Sequence, residues 1–204
     1  MNRGRGADPR SGREVLHAGV SGLPSDVCGT ANPDTARAGS IPVASETVTI
    51  ARAGLTDDAS RALIAQLNAE LSGAYPEPGA NHFGLDPQEV AEGRGAFLVV
   101  YHQGAAVGCG ALRRLDAETG ELKRMYVSPA VRGTGLGRRL VGALEAEARA
   151  LGLRRLVLET GTRQEAALAL YRAAGFHPIP LYGEYTRSPE TSICLGKELP
   201  APEP

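Results

Sequence analysis

Apolar and polar residues first alternate with a period of two at Thr47-Val48-Thr49-Ile50-Ala51-Arg52, as in a half-buried strand. Upstream, residues 1–45 are rich in Gly, Pro, Ser, Asp and Arg and carry no apolar period. Such a stretch cannot bury enough surface to offset the entropy of ordering, so a disordered extension is expected there, ahead of one domain over residues 46–200. Beyond the first strand, Asp57 or Asp58 can cap a helix in which Leu63, Leu67 and Leu71 recur every four residues, with Gly73 as its stop. Tyr75 to Gly93, with three prolines and three glycines, reads as a loop long enough to serve as a substrate lid.

Ala96-Phe97-Leu98-Val99-Val100-Tyr101 is continuously apolar and predicts a buried strand, joined through a Gln103-Gly104 turn to a second strand over Ala105 to Arg114. Glu121 to Val127 is a third strand of this meander, stopped by Pro129. From Arg138 a helix places Leu140, Leu144, Ala148 and Leu151 on one face and ends at Gly152. A strand over Leu156 to Thr160, a helix from Gln164 to Ala174 and short strands near Phe176 to Ile179 and Ser192 to Leu199 complete the chain. The order β, α, three-strand meander, α, β, α, β, β predicts an α/β (α+β) domain around a mixed sheet.

Composition narrows the function. A net charge of -1 over 204 residues argues against general nucleic-acid binding, which needs a concentrated basic face. No apolar run approaches the roughly 20 residues of a membrane span, and no apolar signal core follows the N-terminal charges. Cys28, Cys109 and Cys194 are too far apart to hold zinc, so no metal is expected and a reducing cytoplasm fits. The preponderance of Arg over Lys, with abundant Ala and Gly, reads as codon bias.

Between the meander and its helix lies Arg132-Gly133-Thr134-Gly135-Leu136-Gly137-Arg138-Arg139. Glycines let successive amides converge on one point, and the following helix adds the positive end of its dipole, which together make a pyrophosphate cradle. Arg138 and Arg139 oppose that dipole unless an anion neutralises them. A P-loop needs Lys-Ser or Lys-Thr where Arg138-Arg139 stands, and the dinucleotide fingerprint needs wider spacing than Gly135 to Gly137 gives.

Arg132-x-x-Gly135-x-Gly137, after Met125-Tyr126-Val127-x-Pro129, resembles the acetyl-CoA signature of the GNAT superfamily of N-acetyltransferases, and Leu170-Tyr171-x-x-x-Gly175-Phe176 is similar to that family's second signature. The resemblance spans roughly Thr47 to Leu199. It implies the GNAT acyl-CoA N-acyltransferase fold, a mixed and mostly antiparallel sheet flanked by helices, with acetyl-CoA as cosubstrate. It also implies that Arg132 to Arg139 hold the pyrophosphate, that the backbone of Met125, Tyr126 and Val127 pairs with the pantetheine arm, and that the Tyr171 hydroxyl faces the thioester sulfur. Many members have asparagine seven residues before the tyrosine; here it is Gln164, an amide on a longer arm.

Amine acetylation needs a base, because an alkylammonium with pKa near 10.4 must lose a proton at a cost of about 4.6 kcal/mol at pH 7. It also needs an acid beside the departing thiolate. Tyr171 is the acid candidate. Glu121 stands where histone-acetylating members place a glutamate base, a role that burial would have to support; it is otherwise an exposed strand residue or the partner of Lys123 or Arg113. Glu159 is a lesser candidate. Cys109 reads as a small core residue, so direct attack is expected over a covalent route. For the acceptor, Tyr75, His82 and Phe83 line one loop, while Tyr182, Glu184 and Tyr185 could cradle a cation. The expected acceptor is a small-molecule amine; a protein N-terminus or lysine, and a non-catalytic acyl-CoA-binding module, are the alternatives. The oligomeric state is open, a homodimer included.

Overall fold

The computed structural model describes residues 47–78 and 84–200. The extension expected over residues 1–45, and His82 and Phe83, lie outside them. Seven strands form one sheet in the order β1-β2-β3-β4-β5-β7-β6. β1 (Val48–Arg52), β2 (Gly95–His102), β3 (Ala105–Arg114) and β4 (Thr119–Val127) are antiparallel neighbours. Among the described residues β4 and β5 (Arg155–Gly161) form the one parallel pair, and β5 continues antiparallel to β7 (Ser192–Glu198) and then β6 (His177–Pro178). The expected mixed, mostly antiparallel architecture is therefore present.

Helices cover both faces. α1 (Asp58–Ala74) packs Leu63 and Leu67 on one face, against Phe97, Val99, Cys109, Ala111 and Tyr126. α2 (Leu136–Ala150) and α3 (Glu165–Ala173) bury Leu140, Leu144, Leu168 and Tyr171 in the cluster that also takes Leu98, Leu112, Leu122 and Leu158. Burial on both faces explains why β2 is apolar without alternation: Phe97 and Val99 point one way, Ala96, Leu98 and Val100 the other.

Several boundaries differ from the sequence reading. α1 runs through Gly73, and Tyr75 is its C-cap, its amide bonded to Leu71 O. Pro76 is the cause, because the residue before a proline is pushed out of the helical region. Asp57 occupies the N-cap without a side-chain cap bond; its carboxylate accepts from Gly54 N at 2.8 Å instead. α2 begins at Leu136, two residues before Arg138, because Gly135 at φ 85° is the left-handed residue that turns the chain into the helix. The long loop contains a short 3-10 turn over Pro87–Val90, closed by an Asp86/Glu89 capping box. Among the described residues no helix is long and apolar enough to cross a membrane.

Candidate active site

β4 and β5 pair only from Thr119↔Arg155 to Leu122↔Leu158. Beyond those residues the pairing stops, and a groove open to solvent is lined by both strands. β4 supplies Lys123, Arg124 and Met125 to its walls, β5 supplies Glu159 and Thr160, α1 supplies Leu67 and Leu71, and α3 supplies Tyr171.

Tyr171 is 5% exposed and packs edge-on against Phe176 at 5.9 Å. Among the described residues its hydroxyl has no hydrogen-bond partner. Burial, with a smaller contribution from Glu159, raises its pKa above the usual phenol value, so it holds its proton through neutral pH and beyond. At the N-cap of α3, the Gln164 carboxamide oxygen accepts from Thr160 Oγ1 at 3.0 Å, which leaves its amide N–H groups as donors at the groove wall.

At the end of β4, Gly133 (φ 81°) and Gly135 (φ 85°) are both left-handed, and the loop stands exposed before α2. Among the described residues the backbone amides from Gly133 through Arg138 donate to no protein acceptor. A run of free N–H groups at a helix start is a binding site for phosphate oxygens. The side chains of the loop divide the work. Arg132 donates to Val127 O at 2.9 Å and to Glu70 of α1 at 2.6 Å, with its guanidinium 5.8 Å from the Tyr126 ring centre. Thr134 Oγ1 donates to Val131 O at 2.7 Å, and Leu136 is buried. Arg132 and Thr134 thus shape the loop, while Arg138 and Arg139 are exposed at its rim. Tyr126 is turned under α1, its hydroxyl donating to Gln66 Oε1 at 3.1 Å, so only the backbone there can meet a ligand.

Glu121 departs from the arrangement expected of a base. It is 0% exposed, and its carboxylate accepts from Arg113 Nε at 2.5 Å, from Tyr182 at 2.8 Å and from Tyr185 at 2.6 Å. Arg113 also pairs with Glu89 at 2.9 Å. With three donors already on it, Glu121 has little capacity left for an acceptor's proton; the pairing with Arg113 is the reading the structure supports. The cradle expected from Tyr182, Glu184 and Tyr185 is filled from within. Lys123 Nζ donates to Glu184 at 2.9 Å and lies 5.5 Å from the Tyr185 ring centre. The protein's own lysine is the cation there.

Glu159 lines the groove from β5, the residue after the last parallel pair. Desolvation raises its pKa above the ordinary carboxylate value, with the Ser192 side chain and then Lys123 opposing and Glu121 and Glu184 reinforcing. Arg124 sits at φ 56° where β4 bulges against β3, between the pairs Cys109↔Tyr126 and Ala111↔Lys123. That left-handed turn, a strain of order 1–3 kcal/mol for a non-glycine residue, puts Arg124 on the same sheet face as Lys123. Cys109 donates weakly to Arg124 O at 3.4 Å, and burial pushes its thiol up to about 12, which removes it as a nucleophile.

Tyr75 closes one end of the groove. Its hydroxyl accepts from Arg163 N at 2.6 Å, and the Arg163 guanidinium stacks 5.0 Å from its ring, donates to Ala74 O and pairs with Glu77 at 2.5 Å. Only a residue without Cβ fits beneath the ring, since a Cβ on Gly161 would meet Tyr75 Oη at 2.1 Å. Neither Arg163 nor Arg124 stood out from the sequence. A signal for Arg124 exists in Leu122-Lys123-Arg124-Met125, where two successive charges break the strand's alternation. Among the described residues no group of His, Cys, Asp and Glu could hold a metal ion.

Residues 59–176 match the family model described as the acetyltransferase (GNAT) family. A relative from Azospirillum brasilense named IAA acetyltransferase is 45% identical over 154 residues, covering 74% of this chain and 98% of its own length. A crystal structure from Klebsiella pneumoniae subsp. pneumoniae MGH 78578, solved as a candidate acyl-CoA N-acyltransferase, is 37% identical with TM-score 0.63 and covers 74% of this chain and 97% of its own. A GNAT family acetyltransferase from Elizabethkingia anophelis, solved with acetyl-CoA bound, shares the fold at TM-score 0.50 and 21% identity, over 74% of this chain and 98% of its own. Free amides before α2 and a buried phenol at the β4/β5 splay fit acetyl-CoA as cosubstrate, and the chain belongs to the acetyltransferase (GNAT) family of acyltransferases.

Proposed function

We propose that the acceptor is the primary amine of a small molecule, acetylated by direct attack within a ternary complex. The observation that carries this reading is the Tyr171 hydroxyl, buried, unpartnered among the described residues and placed at the groove between the parted strands. The name of the Azospirillum relative, which gives IAA as what that protein acts on, supports a small acceptor.

Acetyl-CoA supplies the acyl group as an activated thioester. The backbone amides from Gly133 through Arg138 would hold its pyrophosphate, with Arg138 and Arg139 adding charge, and the backbone of Met125 to Val127 would receive the pantetheine arm. Gln164 offers its amide N–H groups to the same arm. Arg132, Thr134 and Leu136 keep the loop in shape for this task. Tyr171 holds a proton on Oη and delivers it to the leaving thiolate, which stops the reaction from reversing.

For the base the geometry favours Glu159 over Glu121. Glu159 lines the groove, and a raised pKa makes it a better proton acceptor than an ordinary carboxylate. Glu121 instead orients Tyr182 and Tyr185, whose hydroxyl protons are committed to it. Tyr75 and Tyr185, both at the groove wall, would bound the acceptor.

The test is thiol release across a panel of small amines, with Tyr171→Phe beside the wild type. Turnover by Tyr171→Phe should fall by roughly 10²-fold or more, with the KM for acetyl-CoA changed by less than about twofold. An unchanged kcat removes Tyr171 from the acid role. If CoA raises the melting temperature but no amine is acetylated, the catalytic reading fails.

A further inference from the structure

We infer that Lys197 is a positioning residue for Tyr171: its ammonium ties the end of α3 to α2, and so keeps the phenol in register with the loop that receives the pyrophosphate. The inference rests on the acid role proposed above. α3 has nine residues, and Tyr171 stands in its last turn. That turn is closed by two backbone bonds, from Gly175 N to Arg172 O and from Phe176 N to Tyr171 O, both at 3.0 Å, with Gly175 left-handed at φ 88°. In this kind of helix terminus the side chains at its two ends touch, and here they are Tyr171 and Phe176, whose rings meet edge-on. The phenol therefore goes where the terminus goes.

Lys197, on β7, grips that terminus from behind. Its Nζ donates to Ala174 O, the C-cap carbonyl of α3, at 2.7 Å and lies 5.8 Å from the Phe176 ring centre. A cation on a terminal carbonyl also meets the negative end of the helix dipole. The same Nζ donates to Glu145 Oε1 of α2 at 2.5 Å. Glu145 is 8% exposed, with Arg149 as a second partner at 3.3 Å. One ammonium thus holds a carbonyl of α3 and a carboxylate of α2, and a buried carboxylate gives that hold a fixed anchor.

α2 is the helix that opens from the glycine loop, so its position is the position of the pyrophosphate site. The two helices are also in register at the loop end, where a Cβ on Gly137 would meet Leu170 Cδ2 at 3.1 Å. Sliding α3 along α2 would lose either that close contact or the ammonium bridge. Lys197 and Glu145 are not among the residues that line the groove, so their effect on chemistry passes through α3. An apolar side chain at position 197 could fill the same space, but it would hold neither oxygen. Displacement of a reacting group by about 1 Å can cost on the order of 10²-fold in rate, which makes such a tether matter for an acid that must meet a sulfur.

The experiment is a double-mutant cycle on kcat, measured with the amine turned over fastest and saturating acetyl-CoA, with a melting curve for each protein. Lys197→Met should lower kcat by roughly tenfold or more and leave the KM for acetyl-CoA within about threefold. In the Tyr171→Phe background the same change should lower kcat by less than about twofold, because no acid remains to be misplaced. Lys197→Arg, which keeps a cation and its donors, should hold kcat within about threefold of the wild type. If Lys197→Met is unfolded at the assay temperature, Glu145→Gln, which weakens the anchor on α2 and leaves the donor to Ala174 O in place, takes its place in the same cycle. A wild-type kcat in Lys197→Met, or equal losses in the two backgrounds, overturns the inference and leaves the acid role standing, since a merely structural lysine would lower the melting temperature without coupling to the phenol. An unchanged kcat in Tyr171→Phe alone overturns the acid role, and the inference with it.

Discussion

Two buried carboxylates within one site, Glu121 and Glu159, separate by their partners, and their substitution should separate in the same way. Desolvation raises the folded pKa of Glu159. A carboxylate with a raised folded pKa contributes most to stability below its unfolded value of about 4.3 and loses that contribution as pH rises through the folded value. At neutral pH its charge is therefore a burden, and Glu159→Gln should be more stable than the wild type in urea yet slower by roughly 10²-fold in kcat/KM, with the acidic limb of the pH–rate profile lost. Glu121→Gln should do the reverse: it leaves Arg113 without its closest anion and should cost about 3 kcal/mol of stability, with a smaller loss of rate. Equal effects of the two changes on rate would restore Glu121 as a base. The sequence left this choice open because strand position places Glu121 beside the cleft, but only packing shows that Arg113, Tyr182 and Tyr185 already donate to it.

At the level of elements, what the sequence showed best was what repeats. The leucine periods of α1 and α2, the apolar run of β2 and the glycines before α2 each carry a local signature, and the structure has an element in each place. The breaks in pattern were harder to read: the bulge at Arg124 depends on β3 pairing with β4, and the splay depends on β5 departing from β4 after Leu158. The clasp at the groove's end is a contact of this non-local kind. Tyr75 from the end of α1 lies on Gly161 of β5 and is held there by Arg163. In Gly161→Ala the new methyl must displace a ring whose hydroxyl is fixed by a backbone amide, at a cost of about 1–3 kcal/mol. The acceptor KM should rise while the acetyl-CoA KM holds, because the clasp bounds the acceptor end of the groove. Adding Tyr75→Leu should recover part of the lost stability, so that the double variant loses less than the sum. Strict additivity would mean that the ring and the glycine do not touch.

Across the whole molecule, several phenols and a thiol are buried in and around the sheet, and this should set its behaviour in alkali. Burial raises the pKa of Tyr171, Tyr182 and Tyr185, and pushes Cys109 up to about 12. Each of these groups is neutral when protonated, so the folded chain retains protons that the unfolded chain gives up near pH 8.5 for cysteine and pH 10 for tyrosine. Between each unfolded value and its higher folded value the native state binds more protons than the unfolded one, and stability falls as pH rises. The urea midpoint should therefore vary little in this respect from pH 7 to about 8.5 and decline steeply above about pH 10. Tyr171 alone should contribute a slope of about 1.4 kcal/mol per pH unit there, which Tyr171→Phe removes. The comparison probes the catalytic geometry without any substrate. A phenol buried at the floor of the cleft must steepen the alkaline limb, and an identical slope in wild type and variant would place that hydroxyl in water, where it could not serve as a protected acid beside a thiolate.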